Sequence, residues 1–368
     1  MSNTAKAAIA YEPHKPFQLR EVEIDDPRAD EVLVDIRACG VGHPDAAARD
    51  QNLPLPLPIV VGHEAAGVVE QVGSSVTKVA PGDRVLLIFG SCGECPNCRI
   101  GKTMHCYDNP TYNFLGSRPD GTTTIRCEGE SIHSHFIGQS SFATRAVVSQ
   151  RSVMKIDDDI SFEFAGPFAC GVITGAGTVL NVLQVEPGSA IAIFGAGAVG
   201  TSALLAARVA GCATIAVVDV NPDRLALAEE LGATHTFNPA DGDPVEAIRA
   251  LNGRGVHRAL DCSGVPGVLR QAYDSTMPLG KTAAVGSPPA GTEVGIDVID
   301  MIITGKTLVG AADGWSLPET FIPRLFDLWR QGRFPIDRIF TNFEFDQINE
   351  AVDAAARGEV IKPVLVMP

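Results

Sequence analysis

Four cysteines fall within fifteen residues, in the spacing Cys92-x2-Cys95-x2-Cys98-x7-Cys106. Thiolates so placed can close a tetrahedron on one loop. Zinc takes four of them at about 2.3 Å and needs no open position when its job is structural. The loop has little apolar content of its own, so metal binding would supply the free energy that orders it. The other cysteines, Cys39, Cys127, Cys170, Cys212 and Cys262, are scattered. An odd total with one tight cluster fits metal binding in a reducing compartment better than a disulfide framework.

A second constellation is Gly195-x-Gly197-x-x-Gly200, which follows the apolar run Ser189 to Phe194 and opens an alanine- and leucine-rich helical pattern reaching Ala210. In that context Gly195 permits a tight turn, Gly197 lets backbone approach a pyrophosphate, and Gly200 lets helix pack on strand. The helix N-terminus then offers free N–H groups and a positive dipole end to phosphates. Asp219 closes the next strand, 19 residues after Gly200. A carboxylate there accepts hydrogen bonds from ribose hydroxyls and repels a 2′-phosphate, which favours NAD over NADP. Arg224 stands close enough in sequence to offset part of that repulsion.

The elements that must position these groups fall into two textures. Glu31 to Arg37 and Gly67 to Val72 alternate apolar and polar residues, and Pro81-Gly82-Asp83 marks a turn before the run Arg84 to Ile88. These predict an antiparallel, barrel-like domain. Residues 91–106 and 112–138 read as long irregular stretches. From about Gly171, strands (Thr214 to Val218, Arg258 to Leu260, Lys281 to Val285) alternate with helices, which predicts a parallel sheet covered on both faces. The tail from Asp313 is helix-rich and ends in a strand, Pro363 to Met367, expected to return to the first domain. The class is α/β.

Composition narrows the function. Hydrophobic residues make up 45% and charged residues 20%, an ordinary globular profile, and the formal net charge is -15. Such an acidic chain is not built for a generic grip on nucleic acid or anionic membrane. The N-terminus lacks the pattern of a secretory signal, and no run approaches the ~18 apolar residues of a membrane span. The expectation is a cytoplasmic protein acting on a small molecule.

The zinc-type cysteine spacing, Gly62-His63-Glu64-Ala-Ala-Gly67, Cys170-Gly171 and the glycine-rich turn together resemble the zinc-containing medium-chain alcohol dehydrogenases, from about Lys6 to the end. Residues 138–144 and 168–177 look most similar to the aryl (benzyl) alcohol dehydrogenase branch. The resemblance implies a GroES-like, β-rich catalytic domain over 1–171 with its zinc lobe at 91–106. It implies a Rossmann doubly wound domain over 172–312 and a return to the catalytic domain over 313–368. It further implies NAD as cofactor, apolar or aromatic primary alcohols and aldehydes as substrates, and a homodimer, or a tetramer, joined through the Rossmann sheets.

In that family a catalytic zinc is held by a cysteine, a histidine and a second cysteine, with a glutamate nearby. His63, Glu64 and Cys170 match the last three. The first cysteine's place, 21 residues before His63, is Gly42. Cys39 is three residues early and reads as a core residue. The hydroxyl residue that passes the substrate proton onward is Pro44, and the relay histidine is Ala47. The resemblance leaves His63, Glu64 and Cys170 as a weakened ligand set, with Asp45 as a further donor or acceptor. It places His43 and Lys362 near the cofactor phosphates and Thr174 beside the nicotinamide. Three activities stay open: NAD(H)-dependent hydride transfer to or from an alcohol or aldehyde with the catalytic zinc weakened or absent, zinc-free NAD(P)H reduction of a conjugated C=C or C=N bond, and NAD binding without turnover.

Overall fold

The computed structural model describes residues 3–368, which form two compact units. The first holds the chain up to Cys170 together with Leu317–Glu319 and Ile339–Pro368, and the second holds Gly171–Ser316 and Thr320–Arg338.

The first unit is built on two largely antiparallel sheets. Its central strand, Glu31–Gly40, pairs with Glu64–Val72 on one side and, near its end, with the terminal strand Lys362–Val366. The register sets Gly40 opposite both Glu64 and Val364, so residues far apart in the chain converge at one end of the strand. An irregularity between Ile36 and Ala38 re-aims the side chains at that end. Cys39 consequently faces Ser141, Sγ to Oγ 3.5 Å, in full burial, and joins the core as its sequence position predicts. Strand Ile59–Val60 joins the other sheet by pairing with Asn3–Ala10. The irregular stretch 112–138 contains one small hairpin, Ile125–Cys127 with Glu130–Ile132.

That stretch also carries a buried polar group with a measurable consequence. His135 is enclosed with its Nδ1 3.1 Å from Ser134 Oγ, and burial, reinforced by the Arg118 charge, pushes its pKa down to about 4. An unfolded histidine titrates near 6.5, so between these values the unfolded chain binds a proton that the folded chain refuses. Stability is therefore full above pH 6.5 and falls as pH drops toward 4, by up to about 3 kcal/mol. Urea midpoints at pH 7.5 and 4.5 should converge in His135→Leu relative to the parent. Equal slopes in the two proteins would remove His135 as the cause.

The second unit is a six-stranded, wholly parallel sheet. Its spatial order is His235–Phe237, Thr214–Val218, Ala190–Phe194, Val256–Asp261, Thr276–Ala284, Thr307–Gly310. The chain reverses direction across the sheet between Ala190–Phe194 and Val256–Asp261, the switch point where ligands bind in such folds. Central strands such as Ala190–Phe194 are buried on both faces, which is why they read as unbroken apolar runs. The edge strands His235–Phe237 and Thr307–Gly310 are short and partly exposed, and give no such signal.

The boundary expected at Asp313 moves. The return to the first unit, apart from Leu317–Glu319, begins at Ile339. Helix Pro318–Arg330 buries Phe321, Ile322, Leu325 and Phe326 along one stripe, and most of it belongs with the parallel sheet. An amphipathic stripe announces that a helix needs a core but not whose core. Among the described residues, no single helix is long and apolar enough to cross a membrane.

Candidate active site and zinc lobe

The thiols of Cys92, Cys95, Cys98 and Cys106 come together with their sulfur atoms within 4.8 Å of one another. Two short turns, Pro96–Arg99 and Thr103–His105, carry the last three to the point set by Cys92. Backbone amides already serve the sulfurs: Glu94 and Cys95 donate to Cys92 Sγ at 3.4 and 3.3 Å, and Cys92 donates to Cys106 Sγ at 3.4 Å. Amides aimed at sulfur stabilise thiolates. A backbone amide at Tyr107 helps bring Cys95 down to about 6, whereas burial pushes Cys98 up to about 12. Four converging thiolates would repel one another without a cation, and this donor set fits zinc.

A second cluster is built around His63, which lies just before strand Glu64–Val72. Its Nδ1 is 2.9 Å from Asp45 Oδ1, and both side chains are completely buried. Asp45 also accepts from Gly62 N and Gly42 N, each at 2.9 Å, so one carboxylate ties the His63 ring to two backbone segments. It sits in the first turn of helix His43–Arg49, where Pro44 is tolerated because first-turn amides have no helical partner. Gln139 Nε2 holds the His63 carbonyl at 2.8 Å, and Phe136 packs edge-on against the ring. His63 Nε2 is left buried without a hydrogen-bond partner. Burial alone would push the imidazole down, but the charges of Asp45 and Cys170 outweigh it and hold His63 well above an ordinary histidine.

Cys170 reaches the cluster on the short turns Phe162–Ala165 and Gly166–Ala169. That segment runs so close to the strand that a Cβ on Gly166 would stand 2.6 Å from the Glu64 carbonyl oxygen. Ligand atoms of His63, Glu64 and Cys170 all lie within 4.8 Å of one another. A Cβ on Gly42 would stand 3.3 Å from His63 Nε2, so the position lacking its cysteine borders this same space. An orphaned imidazole nitrogen, a thiol and a carboxylate make a donor set that zinc accepts, with one thiolate fewer than the family pattern.

Two expectations change on this geometry. Asp45 is completely buried and turned to His63 Nδ1 and the amides of Gly62 and Gly42, so it holds the imidazole ring in place. Lys362 is not held out toward a phosphate. The residue is 3% exposed, and its ammonium donates to Glu64 Oε1, Glu64 Oε2 and the Val41 carbonyl. The reason is the register of the terminal strand, which delivers it beside Glu64. Thr174, in Gly171–Gly177, donates to Asp313 Oδ1 at 3.0 Å, a partner that sequence spacing gives no hint of. His43 is exposed at the start of its helix.

In the second unit the glycine-rich turn behaves as its spacing predicts. Gly195 takes φ 98°, and a Cβ on Gly200 would collide with the Gly195 carbonyl at 1.8 Å. Nothing lies within 4 Å of a Cβ built on Gly197, the N-cap of helix Ala198–Ala210, so backbone there faces open space. Asp219 accepts from Ala196 N at 2.6 Å and Asn221 N at 2.8 Å, fastening the turn to the next strand's end. Arg224, in the first turn of helix Pro222–Leu231, has a buried Nε with no hydrogen-bond partner.

Comparison with known proteins agrees with this layout. Residues 28–158 match the alcohol dehydrogenase GroES-like domain and residues 198–327 the zinc-binding dehydrogenase domain. The chain is 44% identical to a geraniol dehydrogenase of Castellaniella defragrans over 99% of its own length and 98% of that protein's. It overlays a zinc-binding-domain alcohol dehydrogenase from Burkholderia ambifaria with TM-score 0.97 at 45% identity, covering 100% of both chains. Benzyl alcohol dehydrogenase from Acinetobacter calcoaceticus overlays with TM-score 0.96 at 40% identity, again over 100% of both. Two domain matches in the expected order and whole-length identity make this chain an oxidoreductase that belongs to the zinc-binding medium-chain alcohol dehydrogenase family.

Proposed function

We propose that the enzyme transfers hydride between NAD(H) and an apolar primary alcohol or aldehyde whose carbonyl form is conjugated, either allylic or aromatic. The observation that carries this reading is His63: Nδ1 fixed on Asp45, Nε2 buried and unpartnered beside Cys170. His63, Cys170 and Glu64 are the residues that would hold a catalytic zinc, which supplies Lewis-acid polarisation of the substrate oxygen when bound. Asp45 keeps the His63 proton on Nδ1, and Phe136 closes one side of the ring against water. Pro44 and Ala47 carry no proton, so any proton leaving the substrate does so without the family's relay.

The substrate class follows from that weakened set. In the oxidation direction conjugation stabilises the carbon that hydride leaves and the carbonyl being formed, so an allylic or benzylic alcohol needs less Lewis-acid help than an isolated one. The relatives' substrates, geraniol and benzyl alcohol, are of this kind. For the cofactor, Asp219 favours the unphosphorylated ribose, and the zinc lobe supports one structural zinc per chain.

Initial rates with geraniol, benzyl alcohol and 1-octanol, each with NAD and with NADP, test the reading. Expected are higher kcat/KM for the first two alcohols and at least tenfold preference for NAD, narrowed in Asp219→Ser. Gly42, Pro44 and Ala47 favour a second reading, hydride delivery to a conjugated C=C or C=N bond. Turnover of an enone or cyclic imine without any alcohol oxidation would select it. No turnover on either panel would leave an NAD-binding protein.

We also propose a cytoplasmic homodimer. Val298, Ile299, Ile302 and Ile303 expose apolar side chains on helix Val298–Thr304, just before the edge strand Thr307–Gly310, which is paired on one side alone. Apolar exposure beside an open sheet edge marks a self-association face. Sedimentation as a monomer at micromolar concentration would overturn it.

A further inference from the structure

Two cations compete for the Glu64 carboxylate. Lys362 Nζ holds both of its oxygens, at 2.9 and 2.8 Å, with lysine and glutamate 3% and 1% exposed. The same carboxylate is grouped with His63 and Cys170 within 4.8 Å. Donor atoms around a tetrahedral zinc with bonds of 2.0–2.3 Å stand about 3.3–3.8 Å apart. Glu64 is therefore at most about 1–1.5 Å of movement beyond ligating separation from the other two donors. With a cysteine at position 42 that movement would be unnecessary. With Gly42 it supplies the third protein ligand.

We infer that Lys362 sets the affinity of the second metal by withholding Glu64 from it. This rests on the reading of His63, Glu64 and Cys170 as a metal site. When one Glu64 oxygen turns to the metal, the Lys362 ammonium keeps at most the other oxygen and the Val41 carbonyl, at 3.1 Å, and stands buried near a second positive charge. Both effects oppose ligation. Lys362 is a positioning residue here: it acts on the metal only through Glu64. Gly40 makes the pairing fit, since a Cβ there would stand 2.1 Å from Glu64 Oε2.

The test is metal titration of the full-length enzyme, independent of turnover. Protein stripped by a chelator to one zinc per chain is titrated with Zn2+ against a chromophoric competitor, and in parallel with Co2+ followed by visible absorption. Lys362→Met is expected to bind the second metal about tenfold to hundredfold more tightly than the parent, the range over which outer-shell partners tune metal sites. Lys362→Gln keeps a hydrogen-bond donor in the space, should methionine leave Glu64 too isolated to fold, and should show the same direction. Glu64→Gln should bind more weakly than the parent, and adding it to Lys362→Met should erase the gain. Gly42→Cys provides the reference, a tight second site that no longer depends on Glu64. If Gly42→Cys binds tightly while both Lys362 variants match the parent, the role of Lys362 is overturned and the metal site stands. If Gly42→Cys also takes no second metal, the site reading and this inference fall together.

Discussion

Replacing Cys98 with serine is expected to cost one zinc per chain and to open residues 91–106 to protease, with the parallel sheet of the second unit unchanged. The four thiols form the only set of their kind among the described residues, and the lobe between them consists of two turns of four and three residues. Such pieces cannot hold a helix by themselves. Structural zinc contributes roughly 10–16 kcal/mol across four ligands, so one lost thiolate removes about 2.5–4 kcal/mol from a loop with little else to order it. Serine at this buried position offers a poor ligand in place of a thiolate. Zinc quantitation with limited proteolysis and fragment mapping decides the matter. A variant that retains its zinc and resists cleavage within 91–106 would show that the lobe is ordered by something else.

The second large effect is expected at Asp45. Asp45→Ala strips the acceptor from three buried donors at once: His63 Nδ1, Gly62 N and Gly42 N. Each buried donor left unsatisfied costs about 1–3 kcal/mol, so a loss of at least about 3 kcal/mol is expected. The ring then loses its fixed tautomer, and kcat/KM for an alcohol should fall about tenfold to hundredfold. Asp45→Asn keeps one acceptor oxygen and should recover most of the stability but not the rate. Its KM for NAD should not move, because the hydrogen bonds of Asp45 go to His63, Gly62 and Gly42, none of them in the glycine-rich turn. Full activity in Asp45→Ala would mean that His63 does not need orienting.

The features legible in the sequence are those whose cause is local. The four-cysteine spacing, the glycine-rich turn and the strand Thr214–Val218 are each written in consecutive residues, and each lies where its pattern places it. The family match then carries the order of the domains. Relations between distant positions are not legible in this way. The Asp45–His63 bond spans 18 residues and the Lys362–Glu64 pair 298, and no spacing rule links either. The resemblance singles out Lys362 as a residue near the cofactor phosphates, and only the strand register shows it turned inward onto Glu64. The domain boundary shifts for a related reason: a helix's apolar stripe does not name the core it will join.

The pairing of Lys362–Val366 with Glu31–Gly40 also orders events during synthesis. The parallel sheet of the second unit is assembled from contiguous chain and can form while translation continues. Arg145–Ser149 can pair with Glu31–Asp35 early, but the stretch Ala38–Gly40 stays uncovered on that flank until Lys362–Val366 emerges. Since that strand delivers the ammonium that partners Glu64, the carboxylate beside His63 is neutralised only after residue 362 has been made, 298 residues later.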